Sequence, residues 1–363
     1  MRRVNFFVLM IFFGACVDPL AIEVPDSASD EIVVDGFISD EPGPYTVILT
    51  RSLGVTENLR NATPFSAREV SISDNLGNTE RLTELELGFY QTSVSGIRGV
   101  PGRSYQLSIV TRDGKTYEST PQLMAPAGNI DTLYYEFEST QPLDGPTESG
   151  FRIFLDAESP GGSDKYFRWK FSGTYQVETY PQLHDVPCGQ SRCPAPRPCS
   201  GFIVANGLTA VAPCECCICW VKQMETSPKV SDNQFVSDGK FNRVEVGFVP
   251  VTEWTFYTKY LVEVKQLSLS RDAFDYWRLV QAQSEGASSL FQPPFGQPKT
   301  NIHPTNGGNP VQGIFYASSI TEKRMFISRD DVPVNIPVPS VNIPEDCNIA
   351  FDFSTSNQPA EWN

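Results

Sequence analysis

Nine cysteines are the side chains of this 363-residue chain best equipped for chemistry, and their spacing sorts them. Cys16 stands alone, seven lie between Cys188 and Cys219, and the last is Cys347. The dense part reads Cys188, Cys193, Cys199, then Cys214-Glu215-Cys216-Cys217-Ile218-Cys219-Trp220. Pro194, Pro196, Pro198 and Pro213 prevent helix there and leave little to bury, so the segment needs covalent staples to hold a shape. Without Cys16 the cysteines form an even set, which outside the cytoplasm reads first as disulfides. Adjacent Cys216 and Cys217 are poorly placed to bond each other, so at least two bridges leave this knot. One long bridge to Cys347 would pin the C-terminal tail to it, although sequence does not give the connectivity. The rival is a soft-metal site. Cys214, Cys216, Cys217 and Cys219 offer four thiolates within six residues, with His184 nearby, a donor set for Cu(I) or Zn(II). The spacing is not that of a zinc ribbon, and an oxidising compartment favours disulfides.

Cys16 invites other chemistry. Met1-Arg2-Arg3 precedes an apolar run from Val4 to Phe13, then Gly14-Ala15-Cys16. A basic start, a short apolar core and small residues before the cut are the parts of a secretory signal, and the run is too short for an ordinary spanning helix. The terminal cysteine makes residues 1–15 a bacterial lipoprotein signal, with Cys16 acylated as the mature N-terminus. The pattern departs from the usual box at Phe13, where leucine is commonest, and at Gly14, where alanine or serine is. Several acyl chains would hold the protein on a membrane without a transmembrane segment. Residues 16–30, acidic and containing Pro19 and Pro25, read as a tether.

Catalysis has little material. The chain has two histidines, His184 and His303, and shows no Gly-x-Ser-x-Gly elbow, His-Glu-x-x-His, P-loop or dinucleotide fingerprint. Acids are plentiful, but nothing in their order marks a glycosidase-type pair. The expectation is a non-enzyme without a cofactor. A net charge of −15 argues against nucleic acid and against electrostatic attachment to anionic headgroups.

Frequent aromatic, proline and glycine residues favour many short strands over long helices. Strand patterns recur around residues 31–38, 45–50, 70–74, 105–110 and 116–119, with turn signals between them, and predict an immunoglobulin-like β-sandwich over 31–124. Pro121 to Gly128 reads as a linker. A larger antiparallel β domain is expected over 130–363, with strands near 151–156, 166–177, 244–249, 255–268, 311–320 and 324–328 and a Cys-rich insertion at 186–219. One helix interrupts it. Ser270 can cap it, Asp272 suits its positive end, Ala273, Phe274, Trp277 and Val280 form a core-facing stripe, and Gly286 stops it. A long Pro/Gly/Asn-rich loop covers 291–310. Exposed aromatics are expected at Trp220, Phe291 and Phe295, the candidates for a binding surface; packing is the plainer reading of each.

In order along the chain, these pieces resemble one family. They are Cys16-Val17-Asp18-Pro19, Ile32-Val33-Val34-Asp35-Gly36-Phe37-Ile38-Ser39-Asp40, Gly43-Pro44-Tyr45-Thr46-Val47, Gly88-Phe89-Tyr90 and Asp113-Gly114-Lys115-Thr116-Tyr117. Tyr166-Phe167-Arg168-Trp169, Cys217-Ile218-Cys219-Trp220, Tyr276-Trp277, Gly313-Ile314-Phe315-Tyr316-Ala317-Ser318 and Pro359-Ala360-Glu361-Trp362 follow. The set resembles the Bacteroidetes lipoproteins of domain of unknown function 4249. The resemblance implies an outer-membrane lipoprotein accompanying a TonB-dependent transporter, with a carboxypeptidase-regulatory-like first sandwich. It brings no catalytic residues. The functional expectation is a non-enzymatic accessory or substrate-binding partner of such a receptor, facing the periplasm or the cell surface. A structural or adhesive surface lipoprotein and a metal-handling one are the alternatives.

Overall fold

The computed structural model describes residues 31–52, 63–141, 147–161, 165–233, 237–286, 296–334 and 342–362. The signal, Cys16, the tether, Phe291 and Phe295 lie outside the described residues. The protein is mainly β, built as two sandwiches in succession.

The first sandwich faces a five-stranded sheet against a six-stranded one. Strict alternation builds it. In Glu69–Asp74 and Ser104–Val110 every second residue is buried, and Val70, Ile72, Tyr105, Leu107 and Ile109 meet Val34, Val47 and Leu49 in one core. Two of its strands come from far away in sequence. Val311–Ser318 pairs in parallel with Ile32–Ser39, from Ile32 opposite Val311 to Ser39 opposite Ser318. Ile302–Asn306 pairs antiparallel with Thr116–Ser119. Gly313 permits the close parallel approach: its φ is +90°, and a Cβ there would strike the Val34 carbonyl.

The second sandwich lays a three-stranded sheet (Asn129–Thr140, Glu148–Glu158, Lys240–Pro250) over a six-stranded platform. The platform is centred on Tyr166–Glu178, paired with Lys259–Leu269, Ile218–Met224 and Lys229–Asp232. Phe167, Trp169 and Phe171 point into this core with Tyr260, Val262 and Val264. Trp169 donates its indole N–H to Gln266 at 2.8 Å, which satisfies the buried polar atoms of both.

Met124 belongs to the first core and Ile130 to the second, so the linker separates the two cores along the chain. The first sandwich nevertheless does not close at residue 124. Ile302, Val311, Phe315 and Ala317 complete its core, so the unit expected over 130–363 gives up two strands to its neighbour. The physical reason is coverage: without them, the core would lack the apolar side chains that close it at one end of each sheet.

The helix spans Arg271–Gly286. Ser270 caps it, its hydroxyl accepting from the Ala273 N–H at 3.2 Å. Ala273, Phe274 and Trp277 pack with Leu267 and Leu269 of the platform and with Phe37, Ile314 and Tyr316 of the five-stranded sheet. The helix thereby wedges the outer faces of the two sandwiches together. Among the described residues no helix is long and apolar enough to cross a membrane.

Candidate functional site

The eight cysteines among the described residues pair completely. Cys188 bonds Cys193, Cys199 bonds Cys216, Cys214 bonds Cys217 and Cys219 bonds Cys347. Two bridges leave the Cys214–Cys219 knot, and one of them is the long link to the C-terminal tail. The four sulfurs offered as a soft-metal set are spread over three bridges, so none is a thiolate in this state. Cys199, Cys216 and Asp346 lie within 4.8 Å of one another, but the two sulfurs are bonded to each other. His184 is committed locally, with Nδ1 2.8 Å from the Ala195 carbonyl, and His303 is exposed on a sandwich strand.

Trp220 is not a surface aromatic. It is 7% exposed and meets Trp362 edge-to-face, ring centres 6.3 Å apart, beside Leu261. The C-terminal residues fold back over the platform and cover it; Lys259 fixes them by donating to the Trp362 carbonyl at 2.8 Å. The apolar rings gain from this burial, at the cost of a Trp220 Nε1–H left without a partner among the described residues.

A different cluster emerges where the sandwiches meet. Alternation along Tyr166–Glu178 turns Phe167, Trp169 and Phe171 inward and therefore turns Arg168 and Lys170 outward, toward the helix and the five-stranded sheet. Asp35 lies on the strand Ile32–Ser39 of that sheet, and Tyr276 and Trp277 on the helix. Arg168 is almost fully buried. It pairs with Glu225, and its guanidinium lies 3.8 Å from the centre of the Trp277 ring. Burial pushes the Tyr316 phenol up to about 12, with the adjacent Arg168 pulling the other way.

Lys170 differs from its neighbours. Lys265, directly across the strand pair, bridges to Glu41 at 2.7 Å and to Glu322 at 3.7 Å. Among the described residues nothing forms an ion pair or hydrogen bond with the Lys170 ammonium. Lost hydration lowers its pKa, like-charged Arg168 and Lys265 add to the effect, and Glu225 and Asp35 oppose it. Asp35 is its counterpart. Water reaches this residue, yet lost hydration raises its carboxyl pKa, with Arg168 and Lys170 pulling down.

Of six buried side-chain polar atoms without partners among the described residues, three lie here, Arg168 Nε, Glu225 Oε2 and Trp277 Nε1; the others belong to Gln182, Trp220 and Ser227. Such atoms are rare, because each one costs the hydration it gave up. The junction thus gathers donors, an acceptor and an aromatic ring. Glu263 and Glu322 are neighbouring acids on the paired strands Lys259–Leu269 and Ile320–Ser328. Burial raises the Glu322 pKa, and Glu263 adds to that; both acids also hold Arg324.

Sequence reasoning missed this cluster. Its signal was present: Arg168 and Lys170 interleave with Phe167, Trp169 and Phe171, and Asp35 interrupts an otherwise apolar strand.

A two-sandwich β protein with a polar junction and a disulfide-stapled arm is the class that the fold defines. The chain belongs to the family described as Domain of unknown function (DUF4249), whose model matches residues 17–324. No curated protein matches it. Among solved structures it has a faint likeness to the trypsin-activated alpha-2-macroglobulin from Escherichia coli, at 10% identity and a TM-score of 0.17, covering 68% of this chain. The chain spans only 15% of that protein's length, and so low a score carries no argument.

Proposed function

We propose that this protein is a lipid-anchored outer-membrane protein that holds a small ligand for a TonB-dependent transporter and performs no covalent chemistry itself. The polar junction carries the reading. Buried polar atoms of Arg168, Glu225 and Trp277, without partners among the described residues and set against the helix and the five-stranded sheet, suit reversible capture of a polar ligand. The Cys16 signal and the family membership support attachment through Cys16. The two sandwiches supply a rigid frame, since the helix and the strand Val311–Ser318 join them through a shared core.

Affinity purification of the full chain from native membranes tests the partnership. A β-barrel receptor in the eluate is the expected result, and its absence overturns the proposal. Palmitate labelling tests the anchor: label is expected on the natural chain and lost in Cys16→Ser.

A further inference from the structure

We propose that the cavity between the linker and the start of the helix binds a small organic acid, its carboxylate held by Lys165 and Arg271 and its apolar body against Pro121, Leu123 and Pro126. The inference deepens the ligand-holding reading above, rests on it, and places the ligand at one end of the polar junction.

The cavity measures about 310 Å³, within the range of small-ligand sites. Its lining comes from three stretches: the linker at 121–126, the strand start at 165–167, and 268–272, where the strand Lys259–Leu269 gives way to the helix. It continues the junction already described. On the outward face of Tyr166–Glu178, Tyr166 stacks on Phe274 with ring centres 4.8 Å apart, and two residues on, Arg168 covers Trp277, three residues further along the helix.

The walls are fixed before any ligand arrives. Gln122 and Leu123 pair with Tyr105 and Ser104 of the first sandwich. Ser268 donates to the Ala125 carbonyl at 2.5 Å, and the capping Ser270 donates to the Gln122 amide oxygen. A preformed cavity spares its ligand the cost of ordering the protein.

Charge selects an acid. The charged side chains lining the cavity are Lys165, Arg271 and Asp272. Asp272 is already engaged, accepting from the Thr120 hydroxyl at 2.9 Å and from the Gln122 amide at 3.4 Å. Among the described residues nothing forms an ion pair or hydrogen bond with the Lys165 ammonium. Arg271 meets Asp275 at 3.4 Å and the Tyr166 hydroxyl at 3.2 Å. The lining therefore carries an excess of positive charge in a chain whose net charge is −15, and the positive end of the helix adds to it. A neutral molecule would leave Lys165 unanswered, and a cation would be repelled. The apolar wall sets the rest of the ligand. Leu123 is 51% exposed, and a bare inorganic anion would leave it in water, whereas a compact apolar body would cover it.

Titration calorimetry on the full chain, backed by amide NMR, tests this. The probes are benzoate, benzamide (the ring without the charge), benzylammonium (the opposite charge) and acetate (the charge without the ring). Benzoate is expected to bind at least about tenfold more tightly than each of the others, a difference of about 1.4 kcal/mol. Lys165→Met and Arg271→Gln should each weaken benzoate toward benzamide, with the circular dichroism spectrum unchanged. Lys115→Met, in the first sandwich, should leave it as it was. Benzamide equal to benzoate would overturn the role given to charge, and acetate equal to benzoate would overturn the proposal in favour of a bare anion post. No saturable binding by any probe, or benzoate binding that neither cavity variant moves, would overturn it as well. A chain that recovers a receptor but binds no benzoate sinks this inference and leaves the transporter partnership standing; benzoate binding without a receptor does the reverse.

Discussion

Between Asp185 and Cys214 the chain forms two hairpins, Asp185–Cys188 with Ser191–Pro194 and Phe202–Ala205 with Gly207–Ala210, whose residues are mostly exposed. The first sandwich contains twenty buried hydrophobic residues in one cluster. The arm is held by bridges and the sandwich, which has no cysteine among its described strands, by packing. Two ways of limiting conformational freedom thus stand side by side. One restricts the unfolded chain covalently, and the other removes apolar surface from water. The difference predicts where each kind of change will hurt.

The largest effect should come from cutting the longest bridge. Cys219→Ala with Cys347→Ala opens a loop of 128 residues, worth about 5 kcal/mol on the chain-entropy account. Denaturant unfolding should show that loss in the second sandwich, with early proteolysis of residues 347–362. Equal loss in both sandwiches would break the comparison. Next comes packing: Leu107→Ala, at a fully buried position, should cost the first sandwich about 3 kcal/mol in the same measurement and be insensitive to reductant.

A smaller effect involves charge. Asp74 lies within the first sandwich, and burial alone would raise its pKa. Hydrogen bonds from Asn78, the Leu76 N–H and Arg103 outweigh burial and hold it below the ordinary aspartate value of 3.8. A carboxyl lowered in the folded state contributes stability above its unfolded pKa and loses it as pH falls through the folded one. Asp74→Asn should therefore cost about 2 kcal/mol at neutral pH and flatten the loss of stability in acid below pH 3.8. The smallest effect belongs to the arm: Val204→Asp, half-exposed on a hairpin, should shift stability by less than about 0.5 kcal/mol. A large loss there would mean that the arm is packed after all.

Much of this organisation was legible in the sequence, because alternation is a local property. The strands around Val70 and Leu107, the helix from Ser270 and the bridging of the eight cysteines all follow from residue order. Three things were not legible. The bridge partners depend on which loops approach each other. Burial of Trp220 depends on Trp362, which arrives from the far end of the chain. The polar junction depends on Arg168, Tyr316 and Trp277 meeting from a strand, a second strand and a helix that are far apart in sequence. Within each element these residues look like ordinary surface charge or ordinary core, and only the packing of one sandwich on the other gives them a common purpose.

The parallel pairing of Ile32–Ser39 with Val311–Ser318 also imposes an order of events. Residues 31–124 leave the ribosome long before their last two strands exist, so this opening part of the chain must wait, incomplete, until nearly the whole polypeptide has been made. A gene fragment cut at residue 124 should accordingly yield a sticky, half-built product. A permuted chain that begins near residue 300, and so supplies both missing strands first, should mature faster than the natural one.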